Sequence, residues 1–179
     1  MKKKYIIILV TLPFICLKCK KDSEIDPKLP PATQEGKNTF GCKVNGVIWV
    51  AYDKRWMGRE LQANYRLNFD SSIYIQASRH IKNNNNNGVM ILILDPFSGE
   101  VMYYLSGYPY DNNVSGSVYT SSNYSYITND SIGGEVKITK FDTLKNILSG
   151  TFFFKALNDT SGNIVDITEG RFDIIYEKQ

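Results

Sequence analysis

A chain of 179 residues is about one domain long, so a single hydrophobic core is expected. Its formal charge is +3, but Lys2, Lys3, Lys4 and Lys18 stand in the first eighteen residues with no acid among them, and the remainder carries about −1. There both signs are interleaved, Lys54, Arg55 and Arg59 being met by Asp53 and Glu60, which leaves no basic face for nucleic acid.

Residues 1–18 have the layout of a lipoprotein signal peptide: three lysines, then an uncharged run over 5–17. That run falls well short of the roughly 20 apolar residues a membrane-spanning helix needs, so cleavage is expected, with an uncleaved anchor as the alternative. Cys16 and Cys19 close the run, where a lipoprotein keeps the cysteine that receives its lipid. Cys19 is expected to be the lipidated residue, because the hydrophilic Lys20, Lys21 and Asp22 follow it at once. Cys16 is the alternative; Lys18 and Ile15 stand before the two cysteines where a small residue is the rule. Residues 19–38 hold Pro27, Pro30 and Pro31 among charged side chains, with Ile25 and Leu29 as the bulky aliphatics. So little apolar surface does not offset ordering entropy, and the stretch reads as a flexible, lipid-anchored linker.

The domain proper is expected over 39–179, as an all-β antiparallel sandwich or barrel. TFGCKVNGVIWVAY opens it as a hairpin, since Asn45-Gly46 suits the positive φ of a type I′ turn. Its Cys42 has no partner cysteine in the folded part and reads as a small buried hydrophobe. One or two helical turns fit DKRWMGRELQAN at 53–64. In SIYIQASR, Ile73, Ile75 and Ala77 share one face and Tyr74, Gln76 and Ser78 the other. VMILIL at 89–94 is apolar on both faces, as in a central strand covered on both sides. Between them HIKNNNNNG reads as a hairpin tip with His80 at its edge, where a lone solvated histidine lacks the partners catalysis or metal binding needs. Three β-rich runs end the chain, GEVKITKF, NILSGTFFFKAL and IVDITEGRFDIIY, separated by DTLK and NDTSGN turns. Alternation places Phe152, Phe154, Ala156, Phe172, Ile174 and Tyr176 inside, and Thr151, Phe153 and Lys155 outside. Glu169-Gly170 reads as a bulge with the glycine left-handed. Many short strands spaced by turns point to the all-β class.

LPPATQEGKNTFGCKVNGVIWV resembles the start of a group of Bacteroidota outer-membrane lipoproteins whose domains are of unknown function, and VKITKFDTLKNILSGTFFFKAL with VDITEGRFDIIY resembles their ending. The resemblance implies a lipid-anchored β-domain on the periplasmic or surface-exposed side of the outer membrane. It brings no catalytic residue.

No nucleophile-elbow, zincin, P-loop, dinucleotide or zinc-ribbon motif occurs, and no catalytic, metal or cofactor residue is assigned. Asp53, Glu60, Asp95, Glu100 and Asp111 are available as a carboxylate pair for glycoside hydrolysis, a pairing that depends on space rather than sequence. Asp159 to Asn163 lacks the acidic spacing of a calcium loop and reads as a turn. The segment YYLSGYPYDNNVSGSVYTSSNYSYITND, at 103–130, has the Tyr, Ser, Gly and Asn composition of binding loops. Tyr104, Tyr108, Tyr110, Tyr119, Tyr124 and Tyr126 are therefore the candidate ligand surface, with half-buried tyrosines of an ordinary β-domain as the alternative. Two functions remain open: a non-enzymatic, lipid-anchored binding or accessory module for a glycan or an envelope protein, and a hydrolase built on a carboxylate pair.

Overall fold

The computed structural model describes residues 28–53, 61–66, 71–81, 85–94, 97–107, 114–120 and 125–179, without the side chains of Tyr52, Asp53, His80, Ile81, Asn85 and Asn86. The signal segment, Cys16, Cys19 and the linker up to residue 27 lie outside the described residues. The strands are β1 (Thr39–Val44), β2 (Val47–Val50), β3 (Tyr52–Asp53), β4 (Leu61–Arg66), β5 (Ser72–Ile81), β6 (Asn85–Ile93), β7 (Met102–Leu105), β8 (Val114–Thr120), β9 (Ser125–Ile127), β10 (Gly134–Asp142), β11 (Ile147–Leu157), β12 (Ile164–Ile175) and β13 (Glu177–Lys178). No helix occurs among the described residues. Where helical turns were expected, β3 and the start of β4 are strand, and residues 54–60 lie outside the described residues.

One sheet runs β13-β4-β5-β6-β8-β9-β11-β12-β1-β2, curled into an open half-barrel, with β10 and β7 added beside β11. The all-β expectation holds, in its barrel-like form. β1 and β2 turn at Asn45 (φ 49°) and Gly46 (φ 80°), the left-handed pair of a type I′ turn, and meet with Val44 opposite Val47. After β2 the chain crosses to β5, where β3 pairs in parallel at Tyr52↔Arg79 and Asp53↔His80. At this end the curled sheet comes nearest to closing, and the Trp49 indole Nε1 donates to Asn87 Oδ1 at 2.8 Å from β2 to β6.

The concave side holds one core. Alternation fixes its members: Ile73, Ile75 and Ala77 of β5 and Ile91 and Ile93 of β6 are fully buried, as are Phe154, Ala156, Phe172 and Ile174 on β11 and β12. Phe153 is 50% exposed between buried Phe152 and Phe154, as expected. At the end away from the β1–β2 turn, Tyr65 meets Phe97, Phe141 and Tyr176 edge to face, Phe97 and Phe141 do the same with ring centroids 4.8 Å apart, and Phe141 stacks on Tyr176.

Four further expectations are corrected. Met90, Leu92 and Leu94 are half-buried rather than enclosed. The asparagine run is not all tip: β5 and β6 stay paired out to Ile81↔Asn85, so Asn85, Asn86 and Asn87 belong to β6. At the bulge, where β12 shifts register against both β1 and β11, the left-handed residue is Glu169 (φ 51°) rather than Gly170. Gly170 is needed for a different reason, since a Cβ there would lie 2.5 Å from the Phe152 ring.

The fourth concerns the linker. Residues 30–38 fold back over the convex face of β1 and β12, and their partner is Asp173, which is 1% exposed. Asp173 Oδ2 accepts from Thr33 Oγ1 (2.6 Å), the Glu35 amide (3.0 Å) and the Lys37 amide (3.1 Å); Oδ1 accepts from the Gly36 amide (2.8 Å) and Ser149 Oγ (2.8 Å). Successive amides turned inward form an anion-binding concavity of the kind that elsewhere holds phosphate, here filled by the chain's own carboxylate. Asn38 Oδ1 accepts from the Ile175 amide and Arg171 donates to the Pro30 carbonyl, which fastens both ends. The free-linker expectation therefore fails for this strap: a low apolar content was offset by a hydrogen-bond hub that composition does not reveal.

Candidate functional site

The convex side of β4, β5, β6 and β8 is a broad face whose side chains follow from the cross-strand register. Tyr74, Leu92 and Ser115 form one row; Gln62, Gln76, Met90 and Ser117 the next; Ser78, Gly88 and Tyr119 the third. Tyr119 lies across Gly88, and its hydroxyl meets Ser78 Oγ at 2.6 Å and receives Gln76 Nε2 at 3.3 Å. The Tyr74 hydroxyl donates to Gln76 Oε1. Gln76 thus ties two tyrosines into one polar row edged by the half-buried Met90 and Leu92. Partial burial, with Tyr119 nearby, pushes the Tyr74 phenol up, so it is neutral at physiological pH. Among the described residues, charge enters this face at Arg66, at the end of β4.

The candidate tyrosines from the sequence do not gather in one place. Tyr119 belongs to this face. Tyr104 is 66% exposed on β7, beside Glu135 and, one strand further, the exposed Phe153. Tyr126 turns inward from β9 and packs partly against the core. Tyr108, Tyr110 and Tyr124 lie outside the described residues. Tyr74 and Gln76 were legible as outward-facing from their alternation; their link to Tyr119 was not, because it joins strands far apart in sequence.

At the nearly closed end of the half-barrel lies a cavity of about 190 Å³. Its walls include Val44, Trp49, Val89, Val118, Tyr126 and Val165, with Asn45, Asn87 and Thr120 as polar members and Ile164 at the rim. No charged side chain lines it among the described residues.

Of the five carboxylates considered for hydrolysis, Glu100 alone has a described side chain. It is exposed and accepts from the Phe141 amide of β10 at 3.0 Å. Asp159 to Asn163 form a turn in which Asn158 Oδ1 accepts from the Ser161 amide. Among the described residues no three His, Cys, Asp or Glu side chains converge as metal ligands would. Cys42 is fully buried, and burial pushes its thiol up to about 12, where it is inert as a nucleophile at neutral pH.

No curated protein and no solved structure matches the chain. One family does, described as a domain of unknown function, and its match runs from residue 38 to residue 175, from the residue before β1 to the last residue of β12. On that span the chain belongs to the DUF6252 family.

Proposed function

We propose that this protein is a lipid-anchored, non-enzymatic binding module of the bacterial cell envelope, held at the outer membrane through Cys19. The lysine-led apolar segment ending in cysteine, and the resemblance of both ends of the domain to Bacteroidota lipoproteins, support the location. The observation that carries the binding role is the half-buried polar row on the convex face of β4, β5, β6 and β8. There two tyrosines and a glutamine stand in a hydrogen-bonded row beside apolar side chains, an arrangement that suits stacking and hydrogen bonding to a glycan or an extended peptide. A side chain already held by its neighbours loses little entropy when a ligand arrives.

Labelled fatty acid is expected to enter the protein in a host with lipoprotein processing and to be lost in Cys19→Ala; loss in Cys16→Ala instead moves the anchor to that residue. On a glycan and peptide array, a Tyr74→Ala, Gln76→Ala double variant is expected to lose about tenfold or more in affinity, the effect of deleting one or two aromatic and amide contacts. A Tyr108→Ala, Tyr110→Ala double variant probes the neighbouring tyrosine-rich segment. Specific binding untouched by both changes removes the tyrosines from the ligand surface.

A further inference from the structure

We propose that the cavity at the nearly closed end of the half-barrel is a binding site for a single neutral pyranose ring. The proposal rests on the binding-module reading only in requiring a ligand; its site is a separate one from the tyrosine face. Volume sets the size of the guest. An apolar cavity of about 150 Å³ accommodates benzene, so about 190 Å³ suits one six-membered ring with substituents.

The lining sets the chemistry. Trp49 and Tyr126 supply aromatic wall, and Val44, Val89, Val118 and Val165 supply aliphatic wall, which matches the C–H faces of a sugar ring. The polar members are neutral and biased toward donation. Asn45 Oδ1 accepts from the Asp166 amide at 2.9 Å, and Asn87 Oδ1 accepts from the Trp49 indole at 2.8 Å. These bonds fix which end of each amide is oxygen and leave the NH₂ groups as the ends that serve a ligand. Together with the Thr120 hydroxyl they suit hydroxyl and ring oxygens, and in the absence of a lining charge they select against an ionised ligand. Arg79, the cross-strand neighbour of Asn87, is not part of the lining, but its presence nearby makes a sugar acid the informative competitor.

The test is a titration of the full-length protein, followed by amide and indole NMR signals, with neutral hexoses and N-acetylhexosamines, their methyl glycosides, and a hexuronic acid. Saturable shifts are expected at the Trp49 indole N–H, Asn87 and Tyr126. Ile164→Trp, which blocks the rim from a position that is 51% exposed and so spares the core, is expected to weaken binding about tenfold or more, and Thr120→Val to weaken it less. An unchanged Trp49 indole signal in the ligand-free Ile164→Trp protein shows that the fold persists. Equal binding of methyl glycosides supports the site and assigns it to the terminal residue of a glycan; preference for the free sugar supports it as a monosaccharide site. No saturable shift below about 10 mM overturns the proposal. Tighter binding of the hexuronic acid overturns the neutral assignment. Shifts confined to Tyr74 and Tyr119, with Ile164→Trp unaffected, overturn the cavity site and leave the binding-module reading standing.

Discussion

Asp173→Ala is expected to lower the unfolding free energy by about 3 kcal/mol or more, read from denaturant midpoints at neutral pH. Each hydrogen bond to a charged group contributes about 1.5–3 kcal/mol, and this carboxylate accepts five, three of them from consecutive backbone amides that alanine leaves without an acceptor. Asp173→Asn preserves the shape but turns an NH₂ group toward donors, so it should be nearly as costly, whereas Thr33→Val removes a single bond and should cost about 1 kcal/mol. A chain beginning at Asn38 lacks four of the five donors and is expected to melt earlier than the full protein. A change within about 0.5 kcal/mol would return residues 30–37 to the status of a linker.

The same carboxylate predicts a pH dependence. Burial raises its pKa, but the hydrogen bonds from Thr33, the Glu35 amide, Ser149 and the Gly36 amide prevail and hold it at about 2. An aspartate in the unfolded chain titrates near 3.9, so the folded state binds this proton less readily. Its contribution is therefore complete above about pH 5 and drains away as pH falls from about 4 toward 2. Stability curves of the native protein and Asp173→Asn should converge across that window; parallel curves would show that Asp173 is not the group responsible.

The second large effect belongs to the core. Phe154→Ala is expected to cost about 3–5 kcal/mol, the usual result of emptying a fully buried aromatic site. Phe153→Ala, one residue earlier and half exposed, should stay within about 0.5 kcal/mol. The pair is a strict test of register, because a one-residue slip of β11 against β12 would exchange the two outcomes. Equal losses would mean that the convex side of β11 is also covered.

The difference between these two residues was legible from alternation alone, as was the facing of Ile73, Ile75, Ala77, Phe172 and Ile174, since a strand buried on one side writes its orientation into every second residue. The type I′ turn at Asn45 was legible because few residues tolerate its φ. What alternation does not encode is where strands meet that are far apart in sequence. The parallel contact of β3 with β5, the Trp49 bond to Asn87 and the Tyr119 bond to Ser78 all arise from curling of the sheet, and no local pattern announces them. Asp173 was hidden for a related reason. In FDII it reads as an ordinary outward aspartate of an exposed strand, and its burial depends on backbone amides, which carry no side-chain signature. The cavity lining was equally illegible, being drawn from six strands and the β1–β2 turn.

The strap also determines how the domain meets mechanical load. Any pull applied ahead of Lys28 enters the fold through residues 30–38 and reaches the Asp173 carboxylate before it reaches β1. That carboxylate sits in β12, which is flanked by β1 on one side and β11 on the other, so tension is passed into the interior of the sheet and not to an edge that peels. The cluster of hydrogen bonds on Asp173 is then expected to act as a fuse, yielding before the longer β1–β12 ladder behind it.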